Sequence, residues 1–249
     1  MYYIASVSCG NDSVAMLYEL TRREYPLDEV IYYSNGMDFD CIDNLFERIK
    51  DMCRSVGIKC TKLSPEHDLL YSMFDEPHKS RKDGIVRYGY GWCGGVCRYG
   101  THEKLITLDK YCESKNATVY VGIASDEQHR KPDKPYKTHP LKEWGLAESD
   151  CLAINRKNGI SWSEWSPRIN GYINLYDILD RVSCWCCRNK NQKELYNIWY
   201  YLPQYWEKLK ELEKKIGQPM KNYHTKQNGF YGDLESMERV FEKRYKSEI

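Results

Sequence analysis

Tyr2-Tyr-Ile-Ala-Ser-Val-Ser-Cys-Gly-Asn-Asp-Ser-Val-Ala-Met-Leu-Tyr-Glu-Leu20 decides the fold of this chain. Tyr2, Tyr3, Ile4, Ala5 and Val7 make a short β-prone run, and Ser13 opens a stretch of good helix formers. Between them lies Ser8-Cys9-Gly10-Asn11-Asp12-Ser13, a hydroxylated turn joining a strand to a helix N-terminus. A turn of this kind is an anion site. Backbone N–H groups point outward, the helix dipole favours negative charge, and Gly10 lets the chain approach a phosphate closely. Asp12 and Ser13 are also helix-capping residue types, and capping is compatible with phosphate binding.

Working outward, Glu29–Tyr33 reads as a second, buried strand and Lys59–Leu63 as a third. Cys41–Gly57 carries Ile42, Leu45, Phe46, Ile49, Met52, Cys53 and Val56 as a helical stripe that stops at glycine. His102–Lys115 has helical spacing and Ala117–Ile123 follows as a strand. Strands alternating with amphipathic helices imply an α/β fold, a doubly wound and mainly parallel sheet. The rhythm ends at Ser125–His139, a polar segment with Pro132 and Pro135 that reads as a loop or lid. Ala147–Asn158, Lys190–Ile216 with a break at Pro203, and Leu234–Tyr245 read as helices. The expected division is a nucleotide-binding domain over 1–145 and a helical, cysteine-bearing attachment over 146–249.

The chain has 249 residues, with 37 Lys+Arg against 36 Asp+Glu, so global charge gives no argument for nucleic acid or membrane. No apolar run approaches the roughly 18–20 residues that span a bilayer. The first residues lack a basic segment followed by an apolar one, so no secretory signal is visible. Eleven cysteines in that setting point to reduced thiols and ligands in a cytoplasm.

The Ser-x-Gly-x-Asp-Ser turn resembles the PP-loop of the ATP-pyrophosphatase (adenine nucleotide α-hydrolase) superfamily, and no Gly-Lys-Ser/Thr follows it as in a Walker loop. Four further segments resemble phosphoadenosine phosphosulfate (PAPS) reductases in the same order. Ser34-Asn-Gly36-Met-Asp38-Phe-Asp40 is similar to their Asp-Thr-Gly-x-Glu-Phe-Pro loop, and Trp92-Cys93 with Lys104-Leu105 to their Trp-Cys…Lys-x-x-Pro-Leu region. Gly122-Ile-Ala-Ser-Asp126-Glu127-Gln-His129-Arg130 is similar to the Gly-x-Arg-x-x-Glu-Ser…Arg loop, and Pro140-Leu-Lys-Glu-Trp144 matches the Pro-Leu-x-x-Trp box. The resemblance implies an enzyme, an adenine nucleotide (ATP or an adenylylsulfate) and Mg²⁺. It places Ser8, Gly10, Asn11, Asp12, Ser13, Ser34, Gly36, Gly122 and Glu127 on the nucleotide, with Asp12 on Mg²⁺ and Arg130 on phosphate or sulfate as catalytic groups.

Two departures refine this. The Glu-Cys-Gly-Leu-His tail of PAPS reductases is missing, since Asn222–Ile249 holds no cysteine. The Asp12-Ser13 ending of the first loop is instead similar to enzymes that split ATP into AMP and pyrophosphate. The resemblance therefore implies ATP α,β-cleavage or substrate adenylation in sulfur transfer. Reduction of adenylylated sulfate by an external thiol protein, and a regulatory nucleotide-binding module with a structural metal, are the alternatives.

Cys93-Gly-Gly-Val-Cys97 and Cys184-Trp-Cys186-Cys187 supply two close thiol pairs. Four soft thiolates from Cys93, Cys97, Cys184 and Cys187 suit a [4Fe–4S] cluster or tetrahedral Zn²⁺, with Cys186 able to replace Cys184 or Cys187. Adenylylsulfate reductases and DNA phosphorothioation proteins of this superfamily carry such a cluster on a related Cys-Cys…Cys-x-x-Cys pattern. Cys41, Cys53, Cys60, Cys112 and Cys151 read as packing thiols, and Cys9 stands inside the phosphate loop. Lys79–Trp92 interleaves basic and aromatic residues in a Gly-rich loop, which could hold a nucleic-acid strand or simply be a solvated loop. A sulfur donor or thiol reductant protein is the other partner expected.

Overall fold

A computed structural model describes residues 1–130, 134–221 and 232–248. Three residues of the Ser125–His139 loop, including Pro132, and the whole cysteine-free 222–231 segment lie outside the described residues. In chain order the elements are β1 (Tyr2–Ser6), α1 (Asn11–Arg22), β2 (Glu29–Tyr33), α2 (Asp40–Ser55), β3 (Lys59–Leu63), α3 (Leu69–Phe74), β4 (Pro77–Lys79) and β5 (Val86–Tyr88). A π-helical turn, Arg98–Glu103, leads into α4 (Lys104–Ser114), then β6 (Ala117–Val121), β7 (Lys137–Thr138), α5 (Pro140–Glu143) and α6 (Glu148–Lys157). The rest comprises β8 (Ser163–Ser166), β9 (Gly171–Asn174), α7 (Leu175–Ile178), α8 (Gln192–Tyr201), α9 (Pro203–Ile216) and α10 (Leu234–Glu248).

These elements form two compact units. The first holds Met1–Pro65 and His102–Trp162, the second Glu66–Thr101 and Ser163–Ile249. This differs from the division expected at 145–146. Residues 66–101 fold with the C-terminal part, and α6 stays with the sheet, packed along α1.

In the first unit, a five-stranded parallel sheet runs in the order β3-β2-β1-β6-β7. β2 is buried along its whole length, as its unbroken Glu-Val-Ile-Tyr-Tyr composition requires of a central strand. The expected α2 stripe is buried at Ile42, Leu45, Phe46, Ile49 and Cys53, whereas Met52 is only half-buried and Val56, past the end of the helix, is exposed. Successive strands are added outward from β1 first on one side and then on the other, so the direction of winding reverses between β1 and β6. Ligands bind beyond the carboxyl ends of parallel strands at such a reversal.

Glu29, fully buried at the start of β2, ties that sheet together. Its carboxylate accepts from the hydroxyls of Tyr2 (3.1 Å), Tyr111 (2.7 Å) and Thr61, and pairs with Lys59 at 2.9 Å. Burial alone would raise its pKa, but the hydrogen bonds from Thr61, Lys59 and Tyr111 outweigh it and hold the carboxyl below its ordinary value.

The second unit is built from helices and two antiparallel hairpins, β4–β5 and β8–β9, neither of which the periodicity announces. Its helices follow local rules closely. Asn191 and Glu194 form a reciprocal capping box at the start of α8, each side chain accepting from the other's backbone N–H at 2.9 Å. Pro203 opens α9 and Gly217, at φ +69°, closes it in the left-handed region. Tyr205, Trp206, Leu209 and Leu212 of α9 are buried.

Glu29→Ala is expected to lower unfolding free energy by about 1–3 kcal/mol at pH 7, because three half-buried hydroxyls lose a fully buried acceptor. The loss is read as a fall in urea midpoint. A carboxyl held below its ordinary pKa stabilises the fold above its unfolded value, ~4.3, and ceases to do so as pH falls. The gap between the two proteins should therefore narrow in acid.

Candidate functional site

Three loops leave the carboxyl ends of adjacent strands β2, β1 and β6, and they contain every nucleotide-site residue that the sequence suggests. After β1, the chain turns through Cys9 at φ +56°, an unusual conformation for a side chain-bearing residue. Two contacts hold it. The buried Trp162 indole donates to the Cys9 carbonyl at 2.6 Å, and the Ser13 hydroxyl sits at the loop's centre. Ser13 Oγ accepts from the Ser8 N–H (3.2 Å), donates to the Gly10 carbonyl (3.0 Å) and lies 3.1 Å from Ser8 Oγ. Gly10 caps α1 with extended backbone and no side-chain bond, and Ser8 beside it is exposed.

Gly122, just beyond β6, is pressed against that first turn. A Cβ there would stand 2.6 Å from Ser13 Cα and 2.8 Å from Ser13 N, so no larger residue fits without separating the two loops. The β2 loop closes on itself. Ser34 Oγ accepts from Gly36 N–H at 3.4 Å, Asn35 Oδ1 from Met37 N–H at 2.9 Å, and the Asp38 carboxylate from Tyr32 OH at 2.9 Å. Gly36 takes φ +77° at that turn.

Asp12 sits among other acids. Burial, then the charges of Glu148, Glu127 and Asp126, push its pKa up to about 6, opposed by the Ala124 backbone N–H. The Glu148 N–H reaches Asp126 at 3.4 Å. The Asn11 side chain is engaged on several sides, and its amide donates to Asp12 Oδ1 at 3.3 Å. The amide also donates to the Glu148 carbonyl at 2.9 Å, and the fully buried Asn155 donates to Asn11 at 2.8 and 2.9 Å. Asn11 thus stitches α6 to α1.

Arg130 is half-exposed and pairs with Glu127 at 2.8 Å. Lys142, from the Pro140–Trp144 box, donates to the carbonyls of Glu127 (2.7 Å) and Arg130 and so pins this loop. Trp144 of the same box donates to Tyr25 OH at 3.2 Å and receives Arg23 over its ring at 4.5 Å. That box is therefore a brace between α1 and the Glu127–Arg130 loop. Between α4 and the β6 edge a cleft of about 390 Å³ opens, lined by Ser6, Leu105, Val121, Ile123, Arg130 and His139 among others.

The second unit brings the two cysteine segments together across some ninety residues of chain. Asn189 Oδ1 accepts from Gly95 N–H at 3.0 Å while its Nδ2 donates to the Gly95 carbonyl at 2.8 Å. Arg188 donates to the Trp92 carbonyl at 3.2 Å. Cys93 and Cys97 are hydrogen-bonded to each other, and a Cβ on Gly100 would lie 3.6 Å from Cys97 Sγ and 4.0 Å from Cys184 Sγ. The Gly100 N–H also donates to Cys97 Sγ at 3.3 Å. Cys186 is buried, and its pKa is raised by that burial and then by Cys184, Cys187 and Cys97.

Cations surround these thiols. Lys190, only 2% exposed, donates to Ser183 Oγ at 3.0 Å, and Lys221 donates to the carbonyls of Arg188 and Lys190. Burial lowers the Lys190 pKa, and Glu194 and the Cys187, Cys184 and Cys186 thiols oppose that fall. Trp92 and Trp185 are both buried beside the cysteines. Asn189, Arg188 and Lys190 escaped the sequence reading because their role depends on a partner segment far away in the chain.

Among the described residues, no group of three His, Cys, Asp or Glu side chains is assembled in metal-binding geometry. For Mg²⁺ this is no obstacle, since that ion takes one or two carboxylates and completes its shell with phosphates and water. The thiol donors fit a soft metal in kind, in pairing and in their cationic surroundings, but their sulfurs do not form a closed shell.

No protein-family model matches the chain. It is similar to the uncharacterized protein MJ0066 of Methanocaldococcus jannaschii, 24% identical over 221 residues that cover 86% of this chain. The chain spans 42% of the length of that curated relative. No helix among the described residues is long and apolar enough to cross a membrane.

A carboxyl whose pKa is raised on folding adds stability only while protonated, and that contribution is lost as pH rises to about 6. Asp12→Asn should therefore be more stable than the native protein at pH 7–8. The difference should vanish below the ~3.9 of a free aspartate. Thermal unfolding across that pH range checks the sign.

Proposed function

We propose that this chain is a PAPS reductase-like enzyme of the PP-loop ATP-pyrophosphatase type, with an adenine nucleotide α-hydrolase-like first unit. It binds ATP or an adenylylsulfate at the Ser8–Ser13 loop and cleaves ATP to AMP and pyrophosphate, or adenylylates a substrate, in a sulfur-transfer reaction. The observation that carries this reading is the seating of Gly122 against Ser13 at the point where the sheet's winding reverses, with Asp12 among acids beside it.

Ser8, Gly10 and Ser13 cradle the phosphates with the first turn of α1, where oriented N–H groups need no reorganisation as charge develops. Asn11 contributes by fixing that turn against α6 and not through its side-chain amide. Asp12 and Glu127 would hold Mg²⁺, and the ion would supply charge neutralisation for the departing pyrophosphate. Ser34, Gly36 and Gly122 border the nucleotide, and the cleft beside β6 receives its base and ribose. Arg130 offers its planar donors to phosphate or sulfate and exchanges Glu127 for the ligand.

Cys93, Cys97, Cys184 and Cys187 would hold a [4Fe–4S] cluster or Zn²⁺ once drawn together by the metal, with Cys186 as the spare donor. Such a centre supplies either sulfur chemistry or bracing. Lys190 and Lys221 balance thiolate charge, and Trp92 and Trp185 exclude water.

The β4–β5 hairpin favours a nucleic-acid strand as the acceptor. Its pairing puts Lys79 opposite Val86 and Pro77 opposite Tyr88, and all are exposed. Arg81 and Lys82 extend its basic tip, whereas Arg87 is neutralised by Asp83 at 2.6 Å. Exposed apolar and aromatic side chains beside ammonium groups suit bases and phosphates together.

Pyrophosphate release from ATP with Mg²⁺ should fall about 100-fold or more in Asp12→Ala, since a metal-held charge is worth several kcal/mol in the transition state. Sulfite release from an adenylylsulfate, without pyrophosphate from ATP, would support the thiol-dependent reductase. Nucleotide binding without turnover of either would leave the regulatory module. Iron, zinc and acid-labile sulfide measured on anaerobically purified protein decide the nature of the thiol centre.

A further inference from the structure

Cys53 and Cys60 look like unremarked packing thiols in the sequence, yet in the first unit their side chains are hydrogen-bonded to each other. The geometry arises from the end of α2. The Cys53 carbonyl accepts from Val56 N–H at 3.2 Å and Ile58 N–H at 2.9 Å, and Gly57 takes φ +75°. The chain therefore reverses sharply and enters β3, which packs along α2. Ile58 and Cys60 point to the same side because side chains alternate along a strand. That side returns Cys60 to the helix turn carrying Cys53.

We infer that Cys53 and Cys60 form an oxidisable dithiol, a modification site that closes into an intramolecular disulfide. It involves neither the nucleotide loop residues nor the cysteines of the second unit, and it stands whether or not the nucleotide reading holds. Cys53 is fully buried and Cys60 partly exposed, so access to the oxidant assigns the first attack to Cys60, although the hydrogen bond between them lowers the Cys53 pKa and raises that of Cys60. The oxidant is a small-molecule disulfide. The Cys60 thiolate attacks one of its sulfurs, forming a mixed disulfide and releasing one thiol. The Cys53 thiolate then attacks Cys60 Sγ, forms the Cys53–Cys60 bond and releases the second thiol. Two electrons pass to the reagent, and the two protons lost by the cysteines end on the two released thiols. From hydrogen-bond contact to the ~2.05 Å of an S–S bond is a short side-chain movement. Cys9 is the competing thiol, since it acts electrostatically on Cys60.

The sequence suits the test. Trypsin cleaves after Lys50, Arg54, Lys59 and Lys62, so Asp51–Arg54 and Cys60–Lys62 separate unless a disulfide joins them. The full chain is incubated with excess oxidised glutathione, alkylated with N-ethylmaleimide under denaturing conditions, digested and analysed by mass spectrometry. The expected result is a reducible Asp51–Arg54/Cys60–Lys62 pair, with alkylation lost from Cys53 and Cys60 in parallel. In Cys53→Ser, Cys60 should stop as the glutathione adduct. A lasting glutathione adduct on Cys60 of the native protein would overturn the inference. So would full alkylation of both thiols, or a Cys9–Cys60 link. If the variant does not fold, the linked peptide from native protein decides alone.

Discussion

The structure of the first unit depends on one backbone contact, the approach of Gly122 to the first turn of α1. Ser13 Cα and N stand where a Cβ on residue 122 would have to be. Sterics of this kind cannot be tuned by a few tenths of an ångström, because both sides are main chain. Everything that makes the site follows from it. The ends of β1 and β6 are held side by side, the Ser8–Ser13 loop is forced into its turn through a left-handed Cys9, and the Glu127–Arg130 loop is delivered next to Asp12. Around this contact, Trp162, Asn155, Lys142 and Trp144 act as supports, each joining a loop or helix end to a distant part of the same unit.

The electrostatics run against the local structure, which is where function is commonly found. A half-buried aspartate surrounded by three further carboxylates is costly when ionised, and its raised pKa measures that cost. A helix N-terminus offsets only part of it. A divalent cation shared with phosphates would relieve the rest. The second unit presents the complementary problem, clustered thiols next to a buried lysine. Neutral thiols would gain little from a lysine placed there, whereas thiolates would gain a great deal in a poorly solvated setting.

Much of the first unit was legible in the sequence, because its signals are local. β1, β2, β3 and β6 and the helices between them follow from run length, stripe and glycine stops, and the bounds agree to within a few residues. The second unit was less legible. β4–β5 is short and largely exposed, and in β8 the buried positions are the polar Glu164 and Ser166 while Trp165 is exposed, so neither hairpin carries an apolar alternation to read. The 66–101 segment could not be allotted by composition, since what attaches it to 163–249 are pairwise bonds such as Asn189–Gly95 and Trp92–Gln218. Asn11 shows the same limit within a motif. Its place in the loop could be read from sequence, but the Asn155 amide that occupies its side chain lies 144 residues away.

By itself the sequence determined a parallel α/β frame, the residues that end its strands and two sets of paired cysteines. Periodicity and turn chemistry act between near neighbours, and those are written in order along the chain. Tertiary structure alone decided which groups meet: Gly122 with Ser13, Asp12 with Glu148, Cys97 with Cys184, and Cys53 with Cys60. Those encounters depend on how strands are ordered in the sheet and how a reversal aims a side chain, and packing of the whole unit settles both.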